Sequence, residues 1–315
     1  MEKPRVLFIG TPQFALPALA LLLKRHYPIV GAITQPDRPQ GRRLILSPPP
    51  VKVFAQEHNI PILQPERLGD GAFLQVFRQL APDLVVLAAY GKLLPREFID
   101  RPPLACLNIH PSLLPKYRGA APINWAIING EEVTGVTIMS VSAELDAGDI
   151  ILQEEIAIGA DETYGCLHDR LAHRGAEMLI QAIEMKMNKT ARSLPQEETA
   201  ATYAPRLQKE DGLIRWAQRG TTIVNLIRGL SPSPGAYTFM ERKMLKVLAA
   251  RAEVQNTGGL PVGTVIAAEK FIKVAVADGW VLLLDVQMEN KKRMPVADFL
   301  QGYRVNSGAV LGDRK

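Results

Sequence analysis

The stretch Ala-Cys-Leu-Asn-Ile-His-Pro-Ser-Leu-Leu-Pro-Lys-Tyr-Arg-Gly, residues 105–119, decides how this chain is read. From Leu104 to Ile109 it is short and largely apolar, as a buried strand is, and Pro111 ends it by removing a backbone donor. Side chains two apart on a strand share a face. Asn108 and His110 therefore project together from a carboxyl end, the place where open α/β sheets bind ligands. An amide NH2 and an imidazolium N–H are both donors. Aimed at one point, they stabilise the oxyanion that forms as a carbonyl becomes tetrahedral. A carboxylate is then needed to hold the imidazole and take a proton. Asp146 is the candidate, on a Gly-containing loop after the strand-like Gly135–Val141.

Working outward toward the N-terminus, strands and helices alternate. Val6–Gly10 reads as a buried first strand, Ala15 to Arg25 as a helix and Ile29–Thr34 as a second strand. Val51–Glu57 and Gly71–Gln79 read as helices, with a short strand at Ile60–Leu63 between them. Asp83–Ala89 is a continuous apolar run, expected to be a central parallel strand ending at Tyr90-Gly91-Lys92. This alternation predicts an α/β domain with a doubly wound, mainly parallel sheet. The turn after the first strand has one glycine, so the G-x-G-x-x-G phosphate cradle of a dinucleotide enzyme is missing, and a nicotinamide dehydrogenase is disfavoured. Gln35 to Lys52 is a long connection with five prolines and the basic residues Arg38, Arg42, Arg43 and Lys52. Connections of that length are functional loops or mobile ones.

Toward the C-terminus, helices are expected at Ala120 to Ile128 and Thr163 to Lys186, with a strand at Ile150–Ile156 between them. Lys189 to Pro205 is polar and interrupted by Pro195, and reads as a linker. The division expected is 1–189, a linker 190–205, and 206–315. In the last part a helix is expected at Thr222–Leu230. Short strands then recur near Leu245–Ala250, Gly263–Ala268, Ile272–Ala277 and Val281–Val286, the pattern of a small β domain of barrel type.

Composition narrows the class. At 315 residues, 47% hydrophobic and 22% charged, the chain is ordinary globular protein with room for two cores. Two cysteines, Cys106 and Cys166, make no disulfide framework, which fits a reducing compartment. The start Met-Glu-Lys-Pro-Arg leads straight into a strand without a signal segment, and no run is long enough to span a membrane, so a cytoplasmic location is expected. Charge is uneven. Residues 206–315 hold 17 Lys+Arg against 10 Asp+Glu, a net of +7, while residues 1–205 hold 20 against 22, a net of −2. A basic final third on a slightly acidic body suggests a nucleic-acid partner.

Competing chemistries fail on spacing. Cys106 shares a face with His110, but four strand residues span about 13 Å, too far for a thiol–imidazole pair. Cys106 is expected to pack. His168 and His173 are five apart on a helix and do not align as two metal ligands do, while His26 and His58 are isolated. No metal site is expected.

Asn-x-His alone is a weak signal. It strengthens because it continues into Ser112-Leu113-Leu114-Pro115, then Arg118-Gly119, then Leu145-Asp146-Ala147-Gly148-Asp149. That run, with Phe8-Ile9-Gly10-Thr11-Pro12 and Gln35-Pro36-Asp37-Arg38-Pro39, resembles the folate-dependent formyltransferases, which move a formyl group from 10-formyltetrahydrofolate to an amine. Thr202–Gly212 and Lys291–Tyr303 resemble the branch whose amine is that of methionine on initiator tRNA. The resemblance implies a Rossmann-variant formyltransferase fold with an OB-like C-terminal barrel. It implies a catalytic set of Asn108, His110 and Asp146, with Asp149 as the less favoured carboxylate. Folate would lie along Ser112, Leu113, Leu114 and Pro115 and near Tyr90. Charged initiator tRNA would be the partner, met by Arg38, Arg42 and Arg43 of the long loop and by Lys291, Lys292 and Arg293. The loop departs from many relatives, which carry several lysines at its tip where this chain has Arg42-Arg43 followed by Leu-Ile-Leu. The resemblance implies neither metal nor nicotinamide. Two other readings stay open at this point: a formyltransferase or formyl-folate hydrolase acting on a small amine or water, and an inert RNA-binding protein on the same scaffold.

Overall fold

The structure, a computed structural model, describes residues 2–40, 45–268 and 270–312. Its strands in chain order begin with β1 (Val6–Gly10), β2 (Ile29–Ile33), β3 (Arg38–Gln40), β4 (Ile45–Ser47), β5 (Ile62–Leu63), β6 (Leu84–Ala88) and β7 (Ala105–His110). There follow β8 (Arg118–Gly119), β9 (Val133–Ser140), β10 (Ile150–Ala157) and β11 (Tyr203–Ala204). Seven of them form one sheet in the order β10-β9-β7-β6-β1-β2-β5. β5, β2, β1, β6 and β7 run parallel, and β9 lies antiparallel to β7. All five residues of β1 are buried, as a central parallel strand requires. The chain winds outward from β1 through β2 to β5, then returns to β6 on the other side of β1. That reversal opens a crevice beyond the carboxyl ends of β1 and β6, and β7 is the next strand along. The lone glycine of the first turn is explained here. A Cβ on Gly10 would lie 2.8 Å from the Ala88 carbonyl oxygen and from the Ala15 Cβ, so glycine allows β1 and β6 to close up.

The chain groups into two compact units. The first comprises 1–122, 134–157 and 168–204, and the second 123–133, 158–167 and 205–315. Two expected features change as a result. Residues 190–204, read as a linker, belong to the first unit. Leu194 exchanges backbone hydrogen bonds with Ile150, and β11 pairs in parallel with β8. Second, residues 35–52 are not wholly irregular, because β3 and β4 pair antiparallel as a ribbon. Pro49 and Pro50 end the ribbon and open helix α1 (Pro50–Glu57), where a missing N–H breaks no helical hydrogen bond. Helix α2 (Tyr164–Met187) passes Gly175 against Ile109 and Val136, where a Cβ would lie 2.7 Å from Ile109. Ile109 thus faces α2, which leaves the alternate positions Asn108 and His110 to the opposite face.

The second unit holds an antiparallel sheet of β12 (Ala236–Met240), β13 (Lys243–Glu253), β14 (Val265–Ala268), β15 (Phe271–Val276), β16 (Gly279–Met288) and β17 (Met294–Pro295). The order is β12-β13-β16-β15-β14, with β17 on β16. Gly312 bridges Phe239 on β12, and Val310 bridges Thr264 beside β14, so one short segment links the two outer strands in the manner of a closing barrel. Helix α3 (Gly220–Leu230) buries Ile223, Ile227 and Leu230 among Val247, Val274 and Val286 of the sheet. β12 and the seven-residue helix at Val296–Gly302 fall outside the sequence expectation; a helix of two turns is too short to carry a periodic signal.

Candidate active site

β7 carries Asn108 and His110, both buried at 6% and 4% relative exposure. The register sets Asn108 beside Leu87 on β6 and Met139 on β9, and sets His110 beside Thr137. His110 is therefore the last residue of its strand, one position later than the apolar run suggests. Its Nε2 lies 3.0 Å from the Tyr117 carbonyl oxygen. A carbonyl only accepts, so Nε2 carries the proton of that hydrogen bond. Its Nδ1 faces Asp146 Oδ2 at 3.7 Å, an ion-pair separation longer than a hydrogen bond. Asp146 is brought to the pair as expected, but its carboxylate is held by a different group: Oδ2 accepts the Gly119 N–H at 2.9 Å.

The backbone here is specialised. Tyr117 and Asp146 both have left-handed φ, 61° and 50°, a conformation that L residues with a Cβ disfavour. Gly148 is required by close approach, since a Cβ there would lie 1.7 Å from the Ser140 carbonyl oxygen. Arg118, between Tyr117 and Gly119, is buried at 2% exposure. Its Nε and Nη2 donate to Gln196 Oε1 at 3.1 and 2.9 Å, and Nη1 and Nη2 donate to Glu198 at 2.9 and 2.7 Å. The Glu198 carboxylate raises the guanidinium's already high pKa, and Arg118 in turn holds that carboxyl below its ordinary range.

Ser112 to Pro115 line the turn that follows. The Ser112 hydroxyl donates to the Lys116 carbonyl at 2.6 Å, and its own carbonyl accepts from Thr137 Oγ1 at 2.7 Å. Leu114 is buried, and its carbonyl accepts from Gln153 Nε2 at 3.0 Å. The Leu113 side chain lies against Gly135, where a Cβ would come within 2.4 Å of it. Tyr90, two residues beyond β6, is buried at 2% exposure. The ring is packed in the apolar cluster with Phe98, Leu94 and Cys106, and its buried hydroxyl has no partner among the described residues. Burial pushes that phenol's pKa up. What Tyr90 gives the crevice is backbone: Gln35 Nε2 donates to its carbonyl at 2.7 Å, while the Gln35 N–H reaches Thr11 Oγ1 at 3.3 Å. Gln35 so ties together the ends of β2, β1 and β6. Cys106 packs as expected, and burial lifts its thiol to about 12.

The candidate RNA-facing cations differ among themselves. Arg38 is exposed on β3, whereas Arg42 and Arg43 lie outside the described residues. Lys291, Lys292 and Arg293 are exposed on the turn between β16 and β17, but Arg293 donates through Nε and Nη2 to Asp285. Lys52 is paired with Asp37 at 2.7 Å. The groups that sequence reasoning missed are the Tyr117 carbonyl, the Gly119 N–H, Gln196 and Glu198. The first two are backbone atoms with no residue signature, and the other two sit in a stretch that reads as a linker.

Two side-chain donors and a carboxylate gathered at a strand end make the arrangement of an acyl-transfer enzyme, and comparison with known proteins gives it a family. Residues 4–183 match the family model described as formyl transferase, and residues 206–304 match that of the formyl transferase C-terminal domain. The chain belongs to the formyl transferase family. Within it, the chain is similar over its full length to a protein of Syntrophus aciditrophicus named methionyl-tRNA formyltransferase, at 51% identity over 99% of this chain and 100% of that one. A protein of Citrifermentans bemidjiense with the same name is 43% identical over 100% of this chain and 98% of its own. Among solved structures, the N-formyltransferase of Helicobacter canadensis, crystallised with folinic acid and dTDP-3-aminofucose, covers 90% of this chain and 99% of itself. Its TM-score is 0.65 at 17% identity, a likeness of fold.

Proposed function

We propose that this enzyme transfers the formyl group of 10-formyltetrahydrofolate to the α-amine of methionine carried on initiator tRNA, giving the formylmethionyl-tRNA used to start translation. The observation that carries the reading is the extent of the agreement with proteins named for that reaction: 51% identity across both the sheet that bears Asn108 and His110 and the basic C-terminal unit. Two sugar-amine enzymes of similar fold agree at only 18% and 17%.

The chemistry follows from the groups at the end of β7. The neutral amine attacks the formyl carbon, a C–N bond forms, and the carbonyl π pair moves onto oxygen. Asn108 donates an amide N–H to that oxyanion. His110 keeps its Nε2–H on the Tyr117 carbonyl and, when doubly protonated, offers Nδ1–H. Nδ1 lies 3.7 Å from Asp146 Oδ2, beyond hydrogen-bond range, so its N–H is not taken up by that carboxylate and is available to the oxyanion. Asp146, oriented by the Gly119 N–H, balances the imidazolium and accepts the proton that the attacking nitrogen must lose. Collapse returns the electron pair to the carbonyl and expels the folate nitrogen, which takes up a proton. No step calls for a metal or a nicotinamide. Ser112–Pro115 would form one wall for folate, and the Tyr90 contribution would be its backbone. Arg38, Arg42, Arg43, Lys291 and Lys292 would meet tRNA phosphates, which supply affinity rather than sequence reading.

This reading places the enzyme in the cytoplasm with its charged tRNA; among the described residues no helix is long and apolar enough to cross a membrane. The deciding experiment incubates the chain with 10-formyltetrahydrofolate and charged initiator tRNA and measures formyl-methionine after base hydrolysis. Formylation of a free sugar amine or release of formate, without formyl-methionine, would replace this reading with one of its relatives.

A further inference from the structure

We infer that Gln196 is a positioning residue for the reaction: its side-chain amide sets the backbone from which Asp146 reaches His110. The inference rests on the reading of the His110–Asp146 pair given above. Both halves of the amide are in use. Nε2 donates to the carbonyl oxygens of Asp146 and Gly148, each at 2.8 Å, so the two amide hydrogens grip the loop on either side of Ala147. Oε1 accepts from Arg118 Nε and Nη2 at 3.1 and 2.9 Å.

Those two attachments are the two sides of the catalytic pair. On one side, Asp146 holds a left-handed φ of 50°, and its carboxylate depends on that conformation to face both His110 and Gly119. On the other, Arg118 separates the carbonyl that engages His110 Nε2 from the N–H that engages Asp146 Oδ2. Gln196 therefore joins the backbone under the carboxylate to the side chain of the residue that stands between the two backbone groups engaging the pair. The rest of its segment reinforces the same short run. Thr202 Oγ1 accepts the Tyr117 N–H at 2.9 Å, and the Thr202 carbonyl accepts the Arg118 N–H at 2.9 Å. Only an amide of this length serves. Glutamate would keep the acceptor for Arg118 but turn a carboxylate oxygen toward two carbonyl oxygens, with no hydrogen to give them. A group that acts this way touches no substrate, so its loss should lower turnover without weakening binding.

The test is a double-mutant cycle between Gln196→Glu and Asp146→Ala, read by single-turnover formylation of charged initiator tRNA, with steady-state KM for both substrates. Nitrogen-15 spectra of the His110 ring are recorded alongside. Expected are a tenfold or greater fall in turnover for Gln196→Glu, KM values within about threefold of the parent, and a shifted His110 ring signal. In the Asp146→Ala background the same change should lower the rate less than twofold, because the group it positions is gone. Gln196→Met, which removes the amide without setting a charge against the carbonyls, should repeat the pattern if Gln196→Glu does not fold. Near-parental turnover by Asp146→Ala would remove the pair itself. Normal turnover by Gln196→Glu beside an impaired Asp146→Ala would leave the pair standing and overturn the positioning role. An equal loss in both backgrounds, an unmoved His110 signal, or failure of both Gln196 variants to fold would equally overturn it, by making Gln196 a general structural residue.

Discussion

Residues 35–52 and 190–205 look alike in sequence. Both are polar, proline-interrupted and longer than a simple turn, yet the structure treats them in opposite ways. The first projects β3 and β4 as a ribbon on which Arg38 is exposed and Leu46 is 62% exposed, tied at its base by Gln35, by Asp37 and Lys52, and by Gln64. The second is drawn into the first unit, where Gln196 and Glu198 satisfy a guanidinium that is 2% exposed. The difference is one of partners. A buried cation and the carbonyls of Asp146 and Gly148 cannot go unpaired without losing several hydrogen bonds, so they fix the segment that reaches them. Beyond the ties at its base, the ribbon's described residues include the exposed Arg38 and Leu46, which a large ligand can meet.

Under the proposed function, chemistry falls to the held region and tRNA handling to the exposed ones, and substitutions can break that division. The largest effect should come from the end of β7. Asn108→Ala, His110→Ala and Asp146→Ala should each fold and lose roughly 10²–10³ in single-turnover rate, the effect of removing an oxyanion donor or its partner. Near-normal formylation by His110→Ala would move the chemistry elsewhere. Next comes Arg118→Leu, which leaves the Gln196 acceptor unsatisfied. It should lower stability by about 1–3 kcal/mol, seen as a lower urea midpoint at unchanged slope. An unchanged midpoint would mean that the second segment is only laid against the first unit.

Smaller effects belong to the exposed cations. Lys291→Gln with Lys292→Gln should weaken charged-tRNA binding severalfold and flatten its log–log salt dependence by up to about 0.9 for each phosphate no longer neutralised. Arg293→Gln should do less, because its guanidinium is engaged by Asp285. Equal effects of all three would show that the Asp285 pair opens on binding. Arg38→Ala should act on turnover more than on affinity if the ribbon aligns the acceptor end. The smallest effect should be at Cys106. A thiol lifted to about 12 is almost wholly protonated near neutral pH, so iodoacetamide should label exposed Cys166 and spare Cys106 in the folded enzyme.

Much of this is legible in the sequence. The alternation from Val6 to Asp83 gives the parallel sheet, because buried central strands must be continuously apolar and helices must cover them. Asn108, His110 and Asp146 could be proposed from residue type, strand period and family motif, and the structure brings His110 and Asp146 to 3.7 Å. The supporting atoms could not. Tyr117 and Gly119 act through backbone groups that any residue possesses. Gln196 is 78 residues from Arg118 and 50 from Asp146 in sequence, and nothing local marks it. The sequence puts Tyr90 at the end of a central strand but does not show that its ring packs beside Phe98 while its carbonyl accepts from Gln35. In sequence Arg293 reads as one cation of three, because its carboxylate partner Asp285 lies on the neighbouring strand.

The pairing of Tyr117–Gly119 with Thr202–Ala204 also sets an order of events during folding. The Tyr117 N–H and the Thr202 hydroxyl are 85 residues apart, so their bond closes a loop that the first sheet does not need for its own formation. β1, β6 and β7 can pair and bury their apolar faces while the acceptor for His110 and the donor for Asp146 are still unplaced. Refolding should therefore pass through a stage that has native far-ultraviolet dichroism but no turnover, with activity returning in a slower phase. Simultaneous recovery of the two signals would show that the geometry of the proposed site forms together with the sheet.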